Sequence, residues 1–455
     1  MTAVLYSILG FLIFENLVEL YLTFRQLRVY KTSKKVPEEL KGALKEETFE
    51  KARVYGIDKA EFEIFKSILC DIIIVTIELY CGFIAYLWNE AIVYTGRFHL
   101  NPANEIHVSC IFLLVVNVIG IFKDLPFSIY STFVLEEKHG FNKQTASFFI
   151  KDQLKAFAVG QAISIPIVAC IVWIVQIGGD YFFVWLWAFV GLISMLLITF
   201  YPVYIAPLFD KFRPLEEGKL RTSIEELAAS LSFPIGQLLV VEGSKRSHHS
   251  NAYFTGLWGV KRIVLFDTLL LNKGLADDST LAEDEKGKGC TDEEVLAVLA
   301  HELGHWKLGH MTRNIIIMQV QLFMIFMMFA YLFKFDALYE AVGFTNGKQP
   351  IIVGFLVIIM YVLAPFNTVV SFGMTLLSRK FEYQADAFAK QLGFASDLCK
   401  SLIKLHIDNL GFPIYDYLYS SWNHSHPTLL QRMSRLKDDS EDEFVKSKLH
   451  NKKVN

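Results

Sequence analysis

The sequence predicts a mainly α-helical protein that crosses a membrane several times and holds one soluble α+β domain. Hydrophobic residues make up 53% of its 455 residues, and the mean hydropathy is +0.36. Both values are higher than those of an ordinary soluble enzyme. Seven apolar runs approach the roughly 20 residues that a membrane helix needs. One long polar insert, residues 206–313, separates the fifth run from the sixth.

The seven predicted membrane helices cover residues 4–22, 68–88, 106–122, 156–177, 181–205, 314–333 and 351–372. Lysine and arginine residues follow the first, third, fifth and seventh helices, whereas the opposite loops hold only Arg97, Lys334 and Lys348. Because cytosolic loops collect positive charge, we expect the N-terminus outside and the C-terminus in the cytosol. The polar insert then faces the cytosol. The first apolar run lacks a basic leader and a cleavage site, so we expect it to stay as a membrane helix.

Composition also narrows the function classes. The net charge is −3 and no basic domain stands out, so nucleic acid is not an expected partner. Six cysteines lie scattered without a C-x-x-C pair, which indicates reduced surroundings rather than a disulfide framework. Four carboxylates lie within the predicted spans: Glu15, Glu19, Asp71 and Glu78. Such groups usually face a bundle interior or a wet cavity, whereas Lys123 and Asp124 are expected at the headgroup level.

The centre of the polar insert is residues 291–306. Thr291 and the three acids after it predict a helix N-terminus, and apolar residues at helical spacing follow. On this helix His301 and His305 lie one turn apart, with Glu302 beside them. This H-E-x-x-H pattern is typical of zinc hydrolases, in which the glutamate takes a proton from water on the metal. The alternative is a surface histidine pair on an amphipathic helix.

A third ligand is predicted after the seventh span. Glu382 and Asp386 share one helix face at i and i+4, inside a run without proline or glycine. Two histidines, one carboxylate and an open position form the usual catalytic zinc site. The two motifs together therefore predict one Zn²⁺ per chain.

The rest of the insert predicts a helix at 215–231 and strands at 237–242, 251–256 and 262–266. A substrate peptide could add to an exposed edge of this sheet; the alternative is a sheet that only braces the zinc helix. The acidic, glycine-rich stretch 272–292 predicts a mobile loop. Further on, a helix is predicted near 398–409.

Three basic side chains near the C-terminus are candidates for binding the oxyanion of a tetrahedral intermediate. His426 and Arg432 are the main candidates, with His424 behind them. The alternative is a turn stabilised by side-chain hydrogen bonds. His139, in the charged turn before the fourth span, is interpreted as structural rather than as a ligand.

With these motifs, the chain resembles the type I CAAX prenyl endopeptidases, the seven-span zinc metalloproteases that mature yeast a-factor and mammalian prelamin A, and in particular an animal member. The resemblance covers nearly the whole chain. It also includes residues 136–142, 206–212, 241–247, 250–254 and 378–388. It implies seven helices that form a barrel around a water-filled chamber, capped by the protease domain. It further implies a farnesylated C-a-a-X substrate that loses its last three residues, with a second upstream cut in some members.

The predicted site residues are His301, His305 and Glu382 for Zn²⁺; Glu302, Asp386, His426 and Arg432 for catalysis; and Asn251, Ala252 and Tyr253 for the substrate backbone. Glu302 is expected to deprotonate the attacking water and to pass the proton to the leaving amine. His426 and Arg432 are expected to stabilise the oxyanion. Asp386 is expected to orient His301 or His305. The resemblance also implies a second role for it, as a proton donor.

The predicted domains are 1–205 (spans one to five with cytosolic loops), 206–313 (the zinc-metalloprotease domain with the sheet and the H-E-x-x-H helix), 314–372 (spans six and seven), 373–440 (the part of the protease domain with the third ligand) and 441–455 (a polar cytosolic tail). The resemblance and a weak dilysine match at Lys452 and Lys453 indicate the endoplasmic reticulum membrane, with the inner nuclear membrane as a second location. We expect a farnesylated substrate and membrane lipid as partners, and a functional monomer.

Three other interpretations stay open at this point. The same site would serve a protease that degrades misfolded or translocation-arrested membrane proteins without needing a prenyl group. A seven-span receptor or transporter with a regulatory metal would match the span count, and so would a catalytically inactive scaffold. The complete set of ligands and base argues against the last two, because metal storage needs no general base.

Overall fold

The computed structural model describes residues 3–245, 252–256, 259, 261–275, 279, 281, 286–345, 347–438 and 442–450. The α-helices are α1 (Ala3–Thr32), α2 (Glu46–Lys66), α3 (Val75–Tyr80), α4 (Phe83–Arg97), α5 (Glu105–Tyr130), α6 (Ala146–Ile177), α7 (Phe182–Phe200), α8 (Ala206–Phe209), α9 (Lys219–Leu231), α10 (Asp292–Lys307), α11 (His310–Leu332), α12 (Asp336–Ala341), α13 (Ile351–Val357), α14 (Ala364–Gln391), α15 (Ala395–Asp408), α16 (Tyr417–Asn423), α17 (Leu429–Lys437) and α18 (Glu443–His450). The strands are β1 (Phe212–Pro214), β2 (Ile235–Val241), β3 (Ala252–Thr255) and β4 (Lys261–Phe266).

The helices confirm a mainly α-helical membrane protein. Five described helices are long and apolar enough to span a membrane: Ala3–Thr32, Glu105–Glu136, Ala146–Ile177, Gly179–Phe209 and His310–Leu332. Two further spans are each bent in the middle, by 66° between Glu46–Tyr80 and Phe83–Arg97 and by 57° between Ile351–Val362 and Ala364–Gln391. With each bent pair taken as one span, the count is seven.

The bend in the second span depends on glycine. Gly82 adopts a left-handed φ of 67° between α3 and α4, and the turn after α12 packs directly on it. A Cβ atom added to Gly343 would lie 2.8 Å from the Cα atom of Gly82. Only two glycines allow the two backbones to approach so closely.

The bend in the seventh span follows from proline. A π-helical turn, Ile358–Val362, ends just before α14, which has a proline in its first turn. Proline has no N–H to donate to the preceding turn. The side chain of Asn367 donates to the carbonyl oxygen of Ile359 at 3.0 Å, which satisfies a group that the break leaves free.

The carboxylates within the spans either bind a neighbouring helix or line a cavity. Glu78 accepts from the Lys123 ammonium at 2.8 and 3.0 Å, so Lys123 reaches towards the bundle rather than only to the headgroups. Glu19 and Asp71 line a cavity of about 530 Å³ between α1, α2 and residues 409–424. The spans are thus held together in part by polar contacts, which are stable only where helices shield them from lipid.

The protease domain contains a four-stranded sheet in the order β1-β2-β4-β3. β2 and β4 are parallel, and the two edge strands are antiparallel to their neighbours. The sequence analysis predicted the inner strands and β3 but missed β1. The predicted helix at 215–231 starts four residues late, at Lys219, because Leu215 still donates to the carbonyl oxygen of Leu238 in the sheet. The predicted helix near 398–409 corresponds to α15.

Helix α10 lies at the centre of this domain. Its N-terminus has a capping box, in which Thr291 and Glu294 satisfy each other's backbone N–H groups. Glu294 also binds Lys404 of α15 at 2.6 Å. Val295, Leu299 and Ala300 are at most 1% exposed, so contacts within the protein fix α10 on several sides.

The C-terminal segment and the ends of the acidic stretch both make contacts within the protein. Helix α18 lies within the residues assigned to a polar tail, and its Val445 is fully buried in the protease core. The ends of the acidic stretch are joined by backbone hydrogen bonds, such as Asn272 N–H to the Lys288 carbonyl oxygen. Asn251, Lys452 and Lys453 lie outside the described residues.

The close approach at Gly82 leads to a testable prediction. Gly343→Ala adds backbone strain and a clash, so we expect it to lower the free energy of unfolding by roughly 2–4 kcal/mol. Gly347→Ala is the control, because Gly347 has a similar φ of 68° but open space around it. We expect it to cost only about 1 kcal/mol. Thermal unfolding in detergent measures both, and equal losses would contradict the role of the contact.

Candidate functional site

Two histidines of α10 and one glutamate of α14 meet in the protease domain. His301 Nε2 lies 3.4 Å from Glu382 Oε2, and His305 Nε2 lies 3.2 Å from Glu382 Oε1. The two Nε2 atoms are 3.2 Å apart. Among the described residues, these three side chains form the group whose ligand atoms lie close enough to hold a metal, all within 4.8 Å of one another.

The glycine of the motif allows this meeting. A Cβ atom on Gly304 would lie 3.1 Å from the Cβ atom of Phe388, which is fully buried on α14. Gly304 therefore lets α10 and α14 pack closely, and the turn of α14 that carries Glu382 faces the two histidines.

The donor set fits a divalent cation. Glu382 is 4% exposed, and its Oε2 accepts no hydrogen bond within the protein. The nearest positive or ring nitrogen atoms are His301 Nε2 at 3.4 Å and Arg432 Nη1 at 3.7 Å, so this buried oxygen keeps an acceptor position for a bound cation. Both imidazoles point Nε2 at this carboxylate while their Nδ1 atoms contact other groups. Two neutral imidazoles and one carboxylate are the ligands of a catalytic metal site.

A buried ion pair supports His301. Its Nδ1 donates to Asp386 Oδ1 at 2.9 Å, and Asp386 in turn accepts from Arg432 Nε and Nη2 at 2.9 and 2.6 Å. Burial and the charge of Arg432 lower the pKa of His301, but the bonds to Asp386 and Glu382 outweigh them and raise it to about 9. This environment favours positive charge, as a cation site requires.

Glu302 has the environment of a general base. Burial raises its pKa above the ordinary value, and the neighbouring His301 and His305 oppose the rise only in part. A glutamate whose pKa is raised holds a transferred proton better at neutral pH than an exposed carboxylate does.

The C-terminal candidates lie in different surroundings. His426 Nε2 is 3.3 Å from Glu382 Oε1, and its side chain is 64% exposed, so it borders the open side of the site. Arg432 is buried against Asp386. His424 packs on Tyr415, with ring centroids 4.6 Å apart. His139 binds Asp58 at 2.7 Å on α2 and has no contact with the three ligands.

Sequence analysis missed Arg379, which shapes the turn that carries His426. Its buried guanidinium donates from Nη1 to the carbonyl oxygens of Ser420, His424 and His426, each at 3.2 Å. Its Nη2 donates to Gln431 Oε1 at 2.9 Å. In the sequence, Arg379 is visible only as one of the positive charges after the seventh span and as part of the matching stretch 378–388.

The predicted substrate strand lies next to the motif helix. β3 is an edge strand of the sheet and contacts α10. Ala252 is buried and Tyr253 is half-buried. Phe254 packs on Phe233, which also packs on Trp306 of α10. A peptide that pairs with β3 would therefore run close to the predicted metal ligands.

Comparison with known proteins extends these observations. Residues 26–211 match the family described as CAAX prenyl protease N-terminal, five membrane helices, and residues 214–440 match peptidase family M48. The CAAX prenyl protease 1 homolog of Homo sapiens is 49% identical, covering 92% of this chain and 92% of that protein. CAAX prenyl protease 1 of Saccharomyces cerevisiae is 38% identical, covering 94% of each. The crystal structure of S. mikatae Ste24p is 37% identical, with a TM-score of 0.84, and covers 96% of this chain and 99% of that one.

The geometry leads to a prediction about metal content. We expect purified protein to hold about one equivalent of divalent metal, and Glu382→Ala to lose most of it because a ligand is gone. Glu302→Ala should keep the metal, since Glu302 is not a ligand. His424→Ala is a control at a histidine outside the group. Metal analysis by mass spectrometry measures all four proteins, and full metal content in Glu382→Ala would contradict the ligand set.

Proposed function

This chain belongs to the CAAX prenyl proteases of peptidase family M48 and is a CAAX-processing membrane metalloprotease; we propose that it uses one Zn²⁺ to release the C-terminal tripeptide from farnesylated CAAX proteins. The observation behind the proposal is the buried group of His301, His305 and Glu382, with Glu302 beside it, in a chain that matches such proteases over nearly its full length. The broader alternative, a quality-control protease that needs no prenyl group, is not favoured by these relatives.

We assign zinc on the chemistry of the donors. Two imidazoles and one carboxylate suit Zn²⁺, which accepts nitrogen and oxygen ligands and keeps one position open in catalytic sites. Such an ion supplies Lewis acidity, because it polarises the scissile carbonyl and lowers the pKa of water. The Oε2 of Glu382, which accepts no hydrogen bond within the protein, supports this assignment.

Glu302 acts as the general base. It accepts a proton from the attacking water and then donates it to the leaving amine, so that one group serves both steps. Burial raises the pKa of Glu302, and this direction suits a group that has to hold the proton between the two steps.

His426 is the donor for the developing oxyanion. It is close to Glu382 on the open side, and the turn fixed by Arg379 holds it there. Asp386 orients His301, and Arg432 holds Asp386 in place. Nη1 of Arg432, which lies 3.7 Å from Glu382 Oε2, is the second donor for the oxyanion.

The substrate backbone adds to the edge of β3 through the main chain of Ala252 and Tyr253, together with Asn251. Main-chain hydrogen bonds do not depend on which side chains the substrate carries, and this suits a site that must accept varied aaX sequences. Support comes from the position of β3, at the sheet edge and against α10.

The proposed membrane location is inferred from the nature of the substrate. A farnesylated tail is held at the membrane, and the cavity with acidic lining between α1 and α2 supports a wet interior among the spans. We propose the endoplasmic reticulum and inner nuclear membranes, with the site on the cytosolic or nucleoplasmic side. We also propose that the enzyme works as a monomer beside membrane lipid, with a second upstream cleavage on prelamin A-like substrates.

The decisive experiment compares a farnesylated CAAX peptide with its unprenylated twin in liposomes. We expect tripeptide release that favours the farnesylated peptide and that 1,10-phenanthroline abolishes. Glu302→Ala should lower kcat by at least roughly 10³-fold while it keeps the metal.

Three outcomes would contradict parts of the proposal. Equal cleavage of both peptides would remove the prenyl requirement. Residual activity of Glu302→Ala near the wild-type rate would exclude Glu302 as the base. Metal binding without any cleavage would argue for a non-enzymatic role.

A further inference from the structure

A histidine outside the zinc motif contacts one of the predicted ligands. His310 is the first residue of α11 and is only 2% exposed. Its Nδ1 lies 3.0 Å from the Nδ1 of His305, and its Nε2 lies 3.1 Å from Gln384 Oε1. Its ring stacks on Phe381, with centroids 4.0 Å apart and planes within 7° of parallel. The imidazole is thus held on both nitrogens and on one face.

The contacts define where the protons lie. The Oε1 atom of Gln384 only accepts hydrogen bonds, so Nε2 of His310 must be the donor. A neutral imidazole carries one proton, and the Nδ1 of His310 is therefore an acceptor. The proton between the two histidines then belongs to Nδ1 of His305, which leaves the lone pair of its Nε2 directed at Glu382 and His301.

This is the tautomer that binds a metal. If Gln384 turned its amide so that the NH₂ group faced His310, the chain of donors would reverse. A proton would then lie on Nε2 of His305, at the position that a cation needs. The orientation of one buried amide, two hydrogen bonds away, therefore decides whether His305 can be a ligand.

We propose that His310, supported by Gln384 and Phe381, is a positioning residue that holds His305 in its metal-binding tautomer and orientation. It does for His305 what Asp386 and Arg432 do for His301. The two supports differ in charge, because His301 is backed by a carboxylate and His305 by a neutral ring. Since a carboxylate makes its partner a stronger ligand, His305 is the more weakly held of the two. This inference rests on the metal site of the proposed function.

The fold explains how His310 reaches this position. Helix α10 ends at Lys307, and Gly309 adopts a left-handed φ of 72° that turns the chain into α11. The turn folds His310 back onto His305, five residues earlier. Helix α14 supplies both Phe381 and Gln384, on either side of the ligand Glu382.

The test separates the hydrogen bond from the ring. His310→Phe keeps an aromatic ring against Phe381 but removes both nitrogens. His310→Asn restores an acceptor, because the amide oxygen of asparagine can occupy the position of Nδ1. We expect the rate of zinc loss to a colorimetric chelator to rise about 10–100-fold in His310→Phe. It should return most of the way to the wild-type value in His310→Asn. His406→Phe, at a partly buried histidine of α15, is a matched control and should release zinc at the wild-type rate.

Two further measurements exclude a general loss of structure. The absorption bands of the Co²⁺-substituted protein report the ligand geometry, and we expect them to change in His310→Phe but not in His406→Phe. Gln384→Leu should also accelerate zinc loss, because it removes the acceptor that keeps the proton of His310 on Nε2. Equal unfolding temperatures of the metal-free variants would show that the fold is intact.

The outcomes distinguish this inference from the proposed function. Wild-type zinc retention and an unchanged Co²⁺ spectrum in His310→Phe would overturn the positioning role and leave the metalloprotease assignment intact. Zinc loss in His310→Asn as fast as in His310→Phe would also overturn it, because the acceptor would then be irrelevant. Wild-type protein that binds no zinc would overturn the metal site and this inference together.

Discussion

The packing of α10 against α14 is the contact on which the rest of the site depends. Neither helix contains a complete set of ligands: α10 carries two imidazoles, and α14 carries the carboxylate. Gly304 lets the two helices approach closely beside Phe388. Packing of this kind is rigid, since protein interiors have little free volume. The three predicted ligands are therefore positioned by the packing of the apolar core.

The same two helices tie the site to the membrane. Helix α14 is continuous with the second half of the seventh span, and α10 leads through a single turn into α11, the sixth span. The metal ligands thus lie on extensions of membrane helices rather than on a domain joined by a flexible linker. An enzyme whose substrate is anchored in lipid benefits from this arrangement, because both partners are confined to the same surface.

The sequence predicts those features whose residues lie close together along the chain. The His301–His305 spacing, the Glu382–Asp386 pair and the long apolar runs are each visible within a few turns of helix. The features that the sequence does not predict depend on contacts between segments that are far apart along the chain. Strand β1 has three residues, too few for a periodic signal. The bend at Gly82 needs Gly343, far along the chain. Arg379 and His310 have ordinary neighbours in sequence, and only the folded chain brings them to the turn of His426 and to His305.

The guanidinium of Arg432 faces two carboxylates of the site. Its Nε and Nη2 make hydrogen bonds to Asp386 in a buried pair, and breaking such a pair typically costs about 3–5 kcal/mol. A single oxyanion donor typically contributes about 2.7–4 kcal/mol, so these two nitrogens would gain little or nothing by leaving Asp386, and leaving it would also release His301. Nη1 takes no part in the pair and lies 3.7 Å from Glu382 Oε2. The predicted oxyanion contact of Arg432 therefore requires only Nη1, and the support of His301 is compatible with it.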